Sequence, residues 1–109
     1  ARLRPLAEDR ALHARFRAAK QEAKERFVTW LASSGGPALD PEAIFDAQVK
    51  RLHEYKRQLL NALRIAAHYA ELRAEPSREV APRVFLFAGK AAPAYRAAKA
   101  ILALLVDLG

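Results

Sequence analysis

Apolar residues fall at Leu12, Phe16, Ala19, Ala23, Phe27, Trp30 and Leu31, in steps of three and four, with Arg15, Arg17, Lys24 and Arg26 mostly between them. That spacing predicts an amphipathic helix from Leu6 to Leu31. It stops at "SSGGP", where glycine releases the helix and Pro37 prevents its resumption. Beyond a loop, Phe45, Ala47 and Val49 alternate with Asp46, Gln48 and Lys50, the period of a short strand with one buried face. Leu52, Tyr55, Leu59, Leu63, Ala66 and Ala70 return to helical spacing, and the two prolines of "EPSREVAP" close that second helix. "RVFLFAG" is continuously apolar from Val84 to Ala88, which predicts a strand buried on both faces. Gly89 ends it, and "KAAPAYRAAKAILALLVDL" predicts a third helix that holds Pro93 in its first turn. Trp30, Tyr69 and the phenylalanines fall mostly on apolar faces and are expected in the core.

The order is helix, strand, helix, strand, helix, an α/β arrangement whose strands pair in parallel through a helical crossover. Two strands are few for such a sheet, which normally has more strands and helices on both faces. A length of 109 residues fits one domain, and 52% apolar residues exclude a disordered tail. The formal charge of +7 and pI near 10.3 change the picture more. They attract polyanions, so nucleic acid, anionic lipid and small phosphorylated ligands all stay open. The absence of cysteine excludes a disulfide and a thiolate site, and suits a cytoplasmic protein. The longest apolar run, Val84 to Ala88, is far below the roughly 18 residues of a membrane span, so no membrane partner is expected. The chain has no methionine, opening at Ala1 and closing at Gly109, and is expected to be an internal fragment.

The charge concentrates in "FDAQVKRLHEYKRQLLN", where Lys50, Arg51, His53, Lys56 and Arg57 surround Tyr55. Three readings are open: a solvated helix face, a nucleic-acid grip, or a pocket for a small anion. Lys50 and Arg51 fall where a strand gives way to a helix, the place where open α/β sheets bind ligands, and a helix start adds partial positive charge. Arg51 and Tyr55 then share a helix face at a separation of four. "AGKAAPAY" sets Gly89 and Lys90 at a second strand-to-helix mouth.

These two stretches carry a resemblance. "FDAQVKRLHEYKRQLLN" closely resembles the α-1,4-glucan phosphorylases of glycogen, starch and maltodextrin breakdown. "AGKAAPAY" resembles their Gly-Gly-Lys-Ala-Ala-Pro-Gly-Tyr element, and "KQEAKERF" in the first helix resembles their Lys-Gln-Glu-Asn-Lys segment. The resemblance implies a pyridoxal-phosphate glycosyltransferase with two Rossmann-like domains, of the glycosyltransferase-B type. Such an enzyme moves a terminal glucosyl unit of an α-1,4-glucan onto inorganic phosphate, giving glucose 1-phosphate. By the same resemblance Arg51 and Lys56 contact the substrate phosphate, Tyr55 touches the glucosyl ring and Lys50 lies near the cofactor's phosphate. His53, Lys90 and Tyr95 are weaker candidates, Tyr95 at the mouth of the channel to the site. Ala88 and Ala94 stand where the family has glycine, which restricts the backbone there. The implied domains are residues 1–36, an amphipathic helix packing on the carboxyl-terminal domain, and 37–109, the first strand-helix-strand-helix of that domain. The family's Schiff-base lysine has no counterpart here, so the chain alone is expected to be inactive.

Other residues read as structure. Arg57 and Arg64 are expected on a solvated face, and His13 and His68 have no partner at metal-ligand spacing, so no metal is expected. Glu22, Glu25, Glu8 and Asp9 are expected in surface ion pairs on the first helix, away from the basic mouth. The rival function is a small basic nucleic-acid-binding module, against which the aromatics are not interleaved with the cations as a stacking platform requires. Bare strand edges predict self-association into a dimer or larger assembly.

Overall fold

A computed structural model describes residues 4–109. The first three residues of the expected 1–36 segment lie outside the described residues. The chain divides between Ala43 and Ile44 into two compact units.

The first unit is built on α1, Arg10–Ser33, preceded by a 3₁₀ turn at Arg4–Leu6. The helix begins later than its apolar spacing suggests because Asp9 caps it, Oδ1 accepting from the Leu12 N–H at 3.0 Å. Asp9, expected in a surface ion pair, is thus the helix cap. At the other end Gly35 takes φ +80°, the left-handed turn that ends a helix and that glycine adopts without strain. The expected surface pairing of Glu22 is present, with Arg26 at 3.1 Å, and Glu25 accepts from Gln21 at 3.2 Å. No side chain of α1 is fully buried, and Phe16 and Trp30 are 64% and 60% exposed. Of the expected apolar stripe only Leu12, Phe27 and Leu31 are half-buried, while Phe16, Ala19, Ala23 and Trp30 are exposed, so these two aromatics are not in a core.

In the second unit β1, Ile44–Val49, pairs in parallel with β2, Arg83–Ala88, in a register that runs from Ile44 opposite Arg83 to Val49 opposite Ala88. Between them lies α2, Gln58–Ala74, and after them α3, Arg96–Leu108. The α/β order and the parallel pairing are as the pattern predicts.

The covered face of β1 is the other one. Ala47 and Val49 are exposed, and α2 lies over the side that carries Asp46 and Gln48. There Arg64 pairs with Asp46 at 2.6 Å and Asn61 donates to Gln48 at 3.0 Å. Period-two spacing revealed a strand; polar bonding to the helix chose its inner side. Likewise β2 is half-buried from Val84 to Phe87, not enclosed on both faces. Tyr69 also lies outside the core, exposed on α2 beside Arg73.

Both later helices start further along than expected. The residues from Lys50 to Arg57 form a loop: His53 is extended, Glu54–Lys56 make a 3₁₀ turn, and Arg57 takes φ +59°, so α2 begins only at Gln58. Leu52 fitted the helical spacing because it is buried, but it is a loop residue packed against Ala98 and Ile101 of α3. Pro93 precedes α3, in a turn closed by the Tyr95 N–H on the Ala92 carbonyl at 3.0 Å. Ala88 and Ala94 keep negative φ, since among the described residues Arg57 alone of the non-glycines has a positive one. Alanine is therefore unstrained at both positions. Among the described residues no helix is long and apolar enough to cross a membrane.

Candidate functional site

Parallel pairing brings the loops that follow β1 and β2 to the same end of the sheet. The ladder continues into them, with Lys50 N–H on the Ala88 carbonyl at 2.9 Å and Leu52 N–H on the Lys90 carbonyl at 3.2 Å. Gly89 permits this approach, because a Cβ there would lie 2.1 Å from the Lys50 carbonyl oxygen.

A hollow of about 630 Å³ opens between the loops, bordered by Arg51, His53, Tyr55 and Lys56 from the first and by Lys90, Pro93 and Tyr95 from the second. Six of the seven residues singled out in the sequence are thus on one cavity. Lys50 is the exception: it borders a neighbouring, largely apolar hollow of about 480 Å³ with Gln48, Gln58, Phe87 and Gly89. The helix face that was to bring Arg51 and Tyr55 together does not exist; the loop and its 3₁₀ turn do so instead.

Aromatic contacts shape the hollow. The His53 ring lies 4.2 Å from Tyr55 and 5.0 Å from Tyr95, centroid to centroid, and Lys56 Nζ is 5.5 Å from the Tyr55 centroid. His53 also caps the 3₁₀ turn, Nδ1 accepting from the Tyr55 N–H at 3.4 Å. The Tyr95 hydroxyl donates to Glu54 Oε2 at 2.5 Å and accepts from the Glu54 N–H at 3.3 Å. The bond to the Glu54 side chain holds the Tyr95 pKa above its ordinary value, against the opposing effect of the Glu54 N–H.

Sequence reasoning passed over three neutral residues behind the loop. Gln58, 1% exposed, donates to the Arg51 carbonyl at 3.1 Å and accepts from the His53 N–H at 3.4 Å. Gln48 donates to the Lys56 carbonyl at 2.9 Å and is held by Asn61. The available signal was position: Gln58 lies one turn before Ala62, on the buried side of α2. Arg64, expected on a solvated face, pairs with Asp46 and stacks over Phe85 at 5.2 Å. Chemically, three cations around one cavity suit a small anion with several oxygens, Arg51 offering a planar fork and the two lysines point charges. Among the described residues no group of three or more His, Cys, Asp or Glu is placed to hold a metal.

Fold and cavity together define an α/β unit with a cation-lined mouth at the carboxyl ends of its strands, the place where open sheets of this kind bind ligands. Residues 1–109 match the sequence model of the family described as carbohydrate phosphorylase, and the chain belongs to that family. It is 45% identical over 107 residues to a glycogen phosphorylase of Haemophilus influenzae, covering 98% of this chain and 13% of that protein. Against the brain form of glycogen phosphorylase from Bos taurus it is 41% identical over 108 residues, 99% of this chain and 13% of the relative. Against the H isozyme of α-glucan phosphorylase from Solanum tuberosum it is 40% identical over 112 residues, 100% of this chain and 13% of the relative. The chain therefore spans 13% of the length of these relatives.

Proposed function

We propose that this chain supplies the phosphate-binding part of an α-glucan phosphorylase, a cytoplasmic enzyme that transfers a terminal glucosyl unit of an α-1,4-glucan to inorganic phosphate and yields glucose 1-phosphate. The observation that carries the reading is the single hollow bordered by Arg51, Tyr55, Lys56 and Lys90. Arg51 takes the substrate phosphate through its fork, Lys56 neutralises it as a point charge, and Tyr55 lies against the glucosyl ring. Fixed cations of this kind stabilise a sugar cation forming beside phosphate, because they need no reorganisation during the reaction. His53, Lys90 and Tyr95 shape the wall and mouth.

In this reading residues 37–109 open a Rossmann-like domain of a two-domain, glycosyltransferase-B-type enzyme, and 1–36 lead into it. The family's cofactor, pyridoxal phosphate, has a phosphate end that fits the residues present, since Lys50 is a cation at the strand end beside Gly89. When bound, the cofactor would supply a second phosphate group, with Lys50 the residue to hold it. With no counterpart of its anchoring lysine, the chain alone is inactive and, through its exposed apolar faces, self-associates. The names of the relatives speak for a phosphorylase and not for a nucleic-acid-binding module.

The test is glucose 1-phosphate release by the full-length enzyme that contains this chain. Arg51→Ala and Lys56→Ala each lower kcat/KM by about a hundredfold or more, as loss of a charged contact in a dry site does, and Arg57→Ala changes it by less than about threefold. Equal losses in all three variants would refute the assignment.

A further inference from the structure

The loop from Lys50 to Arg57 forms few repeating backbone hydrogen bonds, so its carbonyl groups need other donors. Two of them find a glutamine. Gln58 Nε2 donates to the carbonyl of Arg51 at 3.1 Å, and Gln48 Nε2 donates to the carbonyl of Lys56 at 2.9 Å. These are the backbones of the two cations assigned to the substrate phosphate. We infer that Gln58 and Gln48 are positioning residues that set the separation and direction of Arg51 and Lys56, an inference that rests on the phosphate-site reading above.

Both amides are fixed at their other end too. Gln58 Oε1 accepts from the His53 N–H at 3.4 Å. Gln48 Oε1 accepts from Asn61 at 3.0 Å, and Asn61 Oδ1 in turn accepts from Arg64 Nε at 3.2 Å. Neither amide plane can flip without losing both partners. Gln58 is also the largest fully buried side chain among the described residues. A buried amide that loses its partners carries the full cost of desolvation, so its hydrogen bonds persist.

The two anchors stand on different elements, Gln48 on β1 and Gln58 at the start of α2. The spacing of the cations is therefore set by the packing of helix on strand and not by the loop between them. A carbonyl held in this way fixes the peptide plane that follows its residue and, with it, where the side chain leaves the backbone. The site is organised before the anion arrives, which spares the ordering cost that binding otherwise carries. Glutamine suits the task because one planar group both donates and accepts. Methionine would match its length and do neither, glutamate would keep only the acceptor, and asparagine would be too short.

The experiment uses the full-length enzyme, with KM for inorganic phosphate, KM for glucan and melting temperature measured for each variant. Gln58→Met raises the phosphate KM about tenfold or more and leaves the glucan KM within about twofold, a split that general loss of stability does not produce. Once Arg51→Ala has removed the side chain being positioned, adding Gln58→Met brings less than about a twofold further rise. Gln48→Leu behaves in the same way toward Lys56→Ala, and decides the matter if Gln58→Met does not fold. Effects that multiply in both pairs would overturn the inference while the site stands. A phosphate KM unchanged by Arg51→Ala and Lys56→Ala would instead overturn the site reading, and the inference with it.

Discussion

Tyr95 and Glu54 tie the two loops together through one proton. The phenol donates to the Glu54 carboxylate, so ionising it would forfeit that hydrogen bond, and the Tyr95 pKa is raised. For a group raised in the folded state, the stabilising contribution is complete below the ordinary phenol value and is lost as pH rises through the folded one. The tie is thus intact at neutral pH and opens only in strong alkali. An ultraviolet difference titration of the full-length enzyme against its Tyr95→Phe variant isolates this phenol. It should ionise later than a free tyrosine, and ionisation at or below the ordinary value would refute the tie. At this scale the gathering of Arg51 and Lys56 on one hollow was legible in the sequence, because cations beside a strand end stand out. Gln58 was not, since an uncharged polar residue has no periodicity of its own. Arg57 is exposed, as a solvated cation should be, and its backbone ends the loop at φ +59°, a conformation that costs an L residue roughly 1–2 kcal/mol.

The strands and their parallel order could be read from alternation and from the apolar run in "RVFLFAG". The starts of α2 and α3 could not. Leu52 lies in the core from within a loop, and burial gives loop and helix residues the same apolar signature. The inner face of β1 departs from the alternation for a related reason: Asp46 and Gln48 satisfy their polar groups on α2, so both stay half-buried while Ala47 and Val49 are exposed. Where the strands end, backbone meets backbone. A Cβ at Gly89 would fall 2.1 Å from the Lys50 oxygen and 3.0 Å from its carbonyl carbon, atoms that cannot swing away as a side-chain tip does. Gly89→Ala is therefore expected to destabilise by about 1–3 kcal/mol, as overpacking does, and to raise the phosphate KM by displacing the loop. Urea unfolding beside steady-state kinetics checks it; an unchanged midpoint would show that the strand ends separate freely.

For the chain as a whole, the sequence supplied the class and the family but not the extent of burial. Among the described residues only Ala43, Leu52, Ala62, Ala98, Ile101 and Gln58 are buried, while Val49, Leu60, Leu63 and Val106 stay more than half exposed. Aromatic and aliphatic residues on apolar faces read as core in any sequence, but a face is buried only if something lies against it. Apolar area left in water is unfavourable by about 25 cal/mol per Å², so the isolated 109-residue chain is expected to associate into dimers or larger species. Light scattering at micromolar concentration checks this, and a mass equal to one chain would refute it.

The parallel sheet also sorts the molecule's connections by use. Both loops that border the hollow leave the carboxyl ends of β1 and β2, whereas the connection from Glu75 to Pro82, exposed throughout, returns the chain to the amino end of β2. A dye or affinity handle attached near Ser77 would therefore sit a full strand length from the cavity, and could report on the enzyme without touching its chemistry.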